Sequence, residues 1–186
     1  MSRFMMRGGI FALLMVSACV SLSTDEIPVR TQQNFLRDIR NVVDGNDLTD
    51  VAVVGKKLHI DFVVKEEGGI HKGDSPVILG YRKELNVGHQ SREYGAATGS
   101  GYVIFFPSDG APTRALISLS LNENVLCVTR ADLFDVFGVV HGFKLIDGGE
   151  EYVYPPGDNL IVRAYFRFLY NGCLYRIGLN QGIVRG

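Results

Sequence analysis

The sequence lacks the patterns of several common classes of protein. Its 186 residues carry 19 lysines and arginines against 20 aspartates and glutamates, without the positive excess typical of nucleic-acid-binding domains. Three cysteines and four histidines contain no Cys-x₂-Cys or His-x₃-His spacing, so no metal site is predicted. No apolar run reaches the ~20 residues that a membrane-spanning helix needs. We therefore expect no nucleic acid, metal ion, cofactor or membrane-spanning helix.

The N-terminus has the features of an export signal. Arg3 and Arg7 precede a short apolar stretch at 8–16. The residues that follow it, Val-Ser-Ala-Cys at 16–19, resemble a bacterial lipobox. The resemblance implies that residues 1–18 are a signal peptide and that Cys19 becomes the acylated first residue of the mature chain. Ordinary secretion, with cleavage after Ala18, is the alternative.

A lipobox implies a location as well as a modification. Several acyl chains hold a protein firmly to a membrane, whereas one chain binds weakly. Position 20 is Val rather than Asp, which by analogy with lipoprotein sorting favours the outer membrane, with the protein facing the periplasm. Residues 19–30 then form a lipidated tether, and residues 31–186 form a single domain.

The pattern in the first part of this domain predicts one helix, then a hairpin, then long loops. Thr31 to Asp44 places its apolar residues on one face, with Gly45 as the C′ stop. Val51–Val54 and Leu58–Lys65 suggest a hairpin around Gly-Lys-Lys. The glycine-rich pattern at 66–101 predicts long loops, with one strand near Pro76–Tyr81.

The second part predicts several hairpins and one short helix. Thr129 and Asp132 form a capping box for a helix from Ala131 to Phe137, which stops at Gly138. Strands are predicted at Tyr102–Phe106, Ala115–Leu121, Val125–Val128, Val139–Ile146, Glu151–Tyr154, Leu160–Tyr170 and Cys173–Leu179.

Together these elements predict an α+β domain. A longer N-terminal helix and a short second helix would pack on one face of an antiparallel sheet. Tyr102 to Asn122 and Tyr152 to Asn171 share a Tyr-Val, turn, Arg-Ala, strand, Asn pattern, which suggests an internal two-fold repeat; chance likeness between hairpins is the alternative. The element order over 31–179 resembles β-lactamase-inhibitor-protein architecture and the small lipoprotein of the outer-membrane barrel assembly machinery. It departs from both in the insertion at 66–101.

The last hairpin carries the candidate partner-binding residues. Asn171-Gly172 favours a two-residue type I′ turn, which pairs Arg167 with Arg176. Two facing arginines are unfavourable unless a carboxylate relieves them, from this chain or from a partner. The face predicted to point away from the helices consists of Arg163, Tyr165, Arg167, Leu169, Leu174 and Arg176. Tyr and Arg are enriched at binding hot spots.

Two cysteines other than Cys19 are present in the sequence. Cys127 and Cys173 are free to form a disulfide in an oxidising periplasm. Strand parity puts Cys127 on the wrong face unless a bulge or a longer turn intervenes.

Gly73-Asp74-Ser75 resembles the nucleophile block of GDS-type hydrolases, which would need Ser75 with His89 or His141. An ordinary turn is the alternative.

These observations favour a non-enzymatic, membrane-tethered protein-binding module that docks on an acidic patch. An inhibitor or immunity protein against an envelope-targeting toxin or hydrolase is the first expectation. An accessory lipoprotein of an outer-membrane or envelope assembly complex is the second, and a serine hydrolase the third.

Overall fold

The computed structural model describes residues 28–96, 99–146, 148–155 and 162–182. Eight antiparallel strands in these ranges form one sheet, and three helices share a core with it. The predicted leader, Cys19 and most of the tether lie outside the described residues. Among the helices described, none has the length and apolar character needed to cross a membrane. The expected mixture of helices and antiparallel sheet is confirmed, and the sheet dominates it.

The order of the strands defines two edges and a centre. The helices are α1 (Gln32–Asp44), α2 (Val51–Leu58) and α3 (Arg130–Phe137). The strands are β1 (Ile60–His71), β2 (Ile78–Gln90), β3 (Gly101–Pro107), β4 (Arg114–Ser120), β5 (His141–Lys144), β6 (Glu150–Tyr154), β7 (Val162–Phe168) and β8 (Leu174–Gln181). In the sheet they follow the order β1-β2-β3-β4-β8-β7-β6-β5. Strands β1 and β5 are therefore the edges, and β4 and β8 meet in the middle.

Helix α1 forms where the apolar spacing predicts it. The Thr31 side chain accepts a hydrogen bond from the backbone N–H of Asn34 and caps the N-terminus. All five apolar residues of the predicted face are buried: Phe35, Leu36, Ile39, Val42 and Val43. The helix ends at Asp44 and Gly45 follows it as predicted, although as the C-cap rather than the C′ residue. Gly45 keeps a helical φ of −66°, and Asn46 takes the left-handed φ of 54°.

The hairpin predicted at 51–65 was wrong, because its first arm is helix α2. Asp50 accepts a hydrogen bond from the backbone of Val53 and starts the helix. Val54 and Leu58 are buried four residues apart on one face, a spacing that a short apolar run does not distinguish from a strand. Gly55 lies inside the helix. A Cβ at this position would come within 2.6 Å of the Ile60 carbonyl oxygen, so a larger residue would not fit without a backbone shift. The described part of the domain therefore contains three helices, where the sequence predicted two.

The expected loops at 66–101 are largely a long hairpin, so that prediction was also wrong. Strand β1 has 12 residues and β2 has 13. Most side chains in β1 are exposed on both faces, which removes the alternation that identifies a half-buried strand. Lys65 is an extra residue in β1, at a register shift between Val64 and Glu66.

The other elements agree with the sequence except at 125–128. Thr129 and Asp132 form the predicted capping box of α3, and Gly138 follows the helix with a φ of 69°. Residues 125–128 form no strand. The predicted repeat equates β3 with β6 and β4 with β7, and it needs that missing strand as the counterpart of β8. This alignment therefore has no support in the sheet.

The last hairpin forms with a different turn. Leu169 pairs with Cys173 across three loop residues, 170–172, and Gly172 has a φ of 82°. Asn171 is not in the left-handed region, so the predicted type I′ turn was wrong. A bulge at Tyr175 restores the register, and Arg167 still faces Arg176 as predicted. The bulge also turns Leu174 into the core, where it is 0% exposed rather than on the outer side.

The predicted disulfide between Cys127 and Cys173 is formed, with Cα atoms 5.0 Å apart. The parity conflict does not arise, because residues 125–128 are not a strand and Cys127 is free to approach the turn. The backbone N–H of Leu174 donates to the Val128 carbonyl, which holds the two segments together beside the disulfide.

A buried arginine fixes the start of the domain. Arg30 donates to Glu93 at 2.6 Å and to Asp38 at 2.9 Å. Its guanidinium also contacts the Tyr94 hydroxyl and lies over the Phe35 ring. The Glu93 side chain is fully buried. Arg30, which the sequence assigns to the tether, is therefore bound tightly to the domain.

Candidate protein-binding face

The face of the sheet turned away from the helices, called the outer face below, holds the four candidate residues. Arg163, Tyr165 and Arg167 alternate along β7 with core residues that point to the helices. Cross-strand register extends them into two rows. One row consists of Ser118, Gly178, Tyr165 and Val153, and the next of Ser120, Arg176, Arg167 and Glu151.

A depression of about 140 Å³ opens between these rows. Its floor holds two small residues, Ser118 and Gly178, which face each other on β4 and β8. Its walls are Leu116, Tyr165, Glu151 and the two arginines Arg167 and Arg176. Leu116 is 40% exposed, whereas Tyr165 is 6% exposed. The depression thus offers apolar surface and positive charge side by side.

Arg167 is neutralised by a carboxylate of this chain. Its Nε donates to Glu151 at 2.5 Å, and the Glu151 side chain is 9% exposed. This hydrogen bond, followed by the charge of Glu151, raises the pKa of Arg167 against the opposing effect of burial. The relief that the sequence predicts for the facing arginines therefore comes in part from β6.

Arg176 is placed differently from Arg167. No ion pair joins it to an acidic residue within the described ranges, and its Nε is shielded from solvent without a hydrogen-bond acceptor. Leaving a buried donor unsatisfied costs about 1–3 kcal/mol. Arg176 lines the depression beside an already paired arginine. An external acceptor in the depression would therefore meet a guanidinium that has no ion pair within the described residues.

Four residues of the site were not predicted from the sequence. Leu116 was predicted as part of a strand, without a binding role. Ser118 and Gly178 have no side chain that suggests binding, and their meeting depends on the pairing of β4 with β8. Glu151 faces Arg167 because β6 is the neighbour of β7. The alternation of Glu151 with Tyr152 on a predicted strand was the one available signal.

The hydrolase constellation is not assembled. Ser75 lies in the turn between β1 and β2, where its hydroxyl accepts from the backbone of Val77. His89 is 14 residues further on, near the end of an extended strand that rises ~3.3 Å per residue. His141 is on β5, at the opposite edge of the sheet. Neither histidine can reach Ser75, and the ordinary turn is what forms.

Comparison with known proteins adds no match. No protein-family model matches the chain, and neither a curated protein nor a solved structure matches it. The described residues also contain no group of three or more His, Cys, Asp or Glu side chains placed to hold a metal ion.

Proposed function

We propose that this chain is a lipoprotein of the bacterial cell envelope whose domain binds another protein through the outer face. Export and acylation at Cys19 rest on the lipobox-like sequence. The binding proposal rests on one observation, the unpaired and shielded Arg176 beside the depression. Tyr165 lines the same depression and is of a residue type enriched at binding hot spots, and Leu116 adds exposed apolar surface beside it.

An inhibitor or immunity protein against an envelope toxin or hydrolase is the role we favour. The face is built on four neighbouring strands, β4, β8, β7 and β6, and a disulfide holds the turn of the β7–β8 pair. A surface that is already ordered loses little conformational entropy on binding, which suits a tight stoichiometric blocker.

Mass spectrometry of the chain isolated from membranes tests the anchor. We expect an N-terminal acylated Cys19, with residues 1–18 absent. A Cys19→Ser variant should leave the membrane fraction. A leader-bearing, unmodified chain in the cytosol would contradict the proposal, as would a Cys19→Ser variant that fractionates with membranes unchanged.

Photo-crosslinking in cells tests the binding face. A benzoylphenylalanine at Leu116 should give one defined protein adduct, and the same group at Val63 should not. Val63 is the matched control because it is 58% exposed on the same sheet but lies on the edge strand β1.

Charge reversal checks the same adduct. Arg176→Glu should abolish it, whereas Arg37→Glu on the exposed side of α1 should leave it intact. Equal adducts from positions 116 and 63, or an adduct that survives Arg176→Glu, would exclude the outer face as the contact.

The fold also supports an internal repeat in a different register from the predicted one. Strands β1–β4 and β5–β8 each form a meander that follows helical residues, and the two meanders meet at β4 and β8. A duplication would then equate β3 with β7. Homologous sequences that align β3 with β6 instead would contradict this register.

A further inference from the structure

We propose that the depression over Gly178 is a socket for a single carboxylate side chain, an Asp or Glu of the partner, and that Arg176 binds it. This inference rests on the proposed function, because it assumes that the ligand belongs to a protein. It also separates the two facing arginines: Arg176 recognises the partner, and Arg167 positions the socket through Glu151.

The charges of the socket select a monoanion. Glu151 cancels the charge of Arg167 through a 2.5 Å contact, so Arg176 contributes the one uncompensated charge at the depression wall. A planar guanidinium binds a carboxylate through two parallel hydrogen bonds. A phosphate group, with more charge, would need a second free cation, and Arg167 is already occupied.

The shape of the socket depends on Gly178. A Cβ there would meet only ordinary contacts, 3.6 Å to the Tyr165 Cβ and 3.9 Å to the Ile117 carbonyl oxygen. Its φ is not in the left-handed region. Neither packing nor backbone conformation therefore demands a glycine. A side chain at position 178 would instead fill the depression between Tyr165 and Arg176.

The apolar walls fit the rest of an acidic side chain. Leu116 and Tyr165 border the same depression as Arg176. They can pack against the methylene groups of a glutamate while its carboxylate reaches the guanidinium. A bare anion gains nothing from these walls, which is why the socket favours a protein side chain over a free ion.

The Nε–Hε resonance of Arg176 reports directly on the socket. The ¹⁵N-labelled chain, as isolated from cells and kept in detergent, is titrated with N-acetyl-glutamic acid amide. The neutral isostere N-acetyl-glutamine amide and inorganic phosphate serve as comparisons. We expect the glutamate probe to shift the Arg176 resonance to saturation, with little change at Arg167. Equal shifts from the glutamine probe, or a stronger response to phosphate, would overturn the proposal.

Variants then test the shape and the charge separately. Gly178→Val should keep the fold and remove the shift, and the smaller Gly178→Ala should weaken it if the valine variant fails to fold. Arg176→Gln, which removes the charge that binds the carboxylate, should weaken the native complex about 30-fold or more, as for other desolvated charge pairs. Arg167→Gln should weaken it less. Full probe binding by Gly178→Val, or equal losses for both arginines, would refute the socket.

The outcomes also separate this inference from the proposed function. A chain that binds the glutamate probe but gives no crosslinked partner in cells refutes the protein-binding function and keeps the socket. A chain that crosslinks at Leu116 but ignores the probe keeps the function and refutes the socket.

Discussion

The outer half of the β1–β2 hairpin and the centre of the sheet consist of the same kind of antiparallel strand in very different surroundings. The hairpin half, Val64–His71 with Ile78–Glu84, is mostly exposed on both faces. In the centre, strands β4, β7 and β8 bury one face completely. The residues there with at most 1% exposure are Ala115, Ile117, Leu119, Val162, Ala164, Phe166, Phe168, Leu174, Ile177 and Leu179.

The difference arises from coverage and not from the strands themselves. The helices share a core with the centre, whereas the outer hairpin is held by backbone pairing and by surface ion pairs. Lys65 contacts Glu84 at 3.0 Å, and Lys83 lies 3.6 Å from Glu67. Surface pairs of this kind contribute little to stability. Stability therefore lies in the centre, and the hairpin is a solvated extension of the sheet.

The largest effect should separate the two regions. Phe166→Ala in the centre should lower the free energy of unfolding by about 3–5 kcal/mol, because it leaves a cavity in a close-packed core. Val64→Ala in the hairpin, at a side chain that is 48% exposed, should cost under ~1 kcal/mol. Denaturant unfolding measures both. Similar losses would mean that the hairpin is part of the cooperative core.

Removing the disulfide should make the central turn resemble the hairpin turn. The double variant Cys127→Ser and Cys173→Ser should lose about 4 kcal/mol in the chain-entropy model, given the sequence separation of 46 residues. Amide exchange at Leu169 and Leu174 should rise towards that of residues 72–77. Unchanged protection would show that packing alone holds the turn.

Alkaline pH should act through the covered centre. Burial raises the pKa of Tyr102, and its hydroxyl donates to the Leu48 carbonyl. A raised pKa in the folded state favours the protonated form. Stability should therefore be intact below the ordinary tyrosine pKa of about 10 and fall as the pH rises above it. Tyr102→Phe should flatten this fall. The same slope in the variant would assign the loss to other groups.

The smallest effect belongs to the hairpin. The hydrogen bond from Lys65 lowers the pKa of Glu84, so Lys65→Gln should raise that pKa towards its ordinary value. The pair contributes stability above the ordinary pKa and loses it as the pH falls through the lowered one. Carboxyl NMR titration follows the shift, while the unfolding midpoint at neutral pH should barely move. A large midpoint change would contradict the solvated character of the hairpin.

The contrast between covered and solvated strands also explains which parts of the fold could be predicted from the sequence. One face is buried in helix α1 and in strands β3, β4, β6 and β7, so the spacing of their apolar residues matched that of a helix or a strand. The capping box of α3 was predicted from two residues three positions apart. Helix α2 is too short for its spacing to be diagnostic, and Asp50 was the overlooked signal. The outer hairpin has no buried face, and its residues therefore read as loops.

The candidate site divides in a similar way. The sequence predicted the outer-facing residues Arg163, Tyr165 and Arg167, because alternation along one strand fixes the side on which each residue lies. It also predicted that Arg176 faces Arg167, although through a turn that does not form. It did not predict that Arg167 is paired and Arg176 is not, because that depends on Glu151 in a strand whose neighbour was unknown.

Local features follow from the sequence alone: the lipobox-like N-terminus, the first helix, the third helix with its cap, and the inside–outside pattern of the central strands. Each follows from spacing or from a contact within a few residues along the chain. The strand order, the disulfide, the burial of Arg30 and the depression over Gly178 depend on the folded structure. These join residues tens of positions apart, and their formation depends on which strands pair and which face the helices cover.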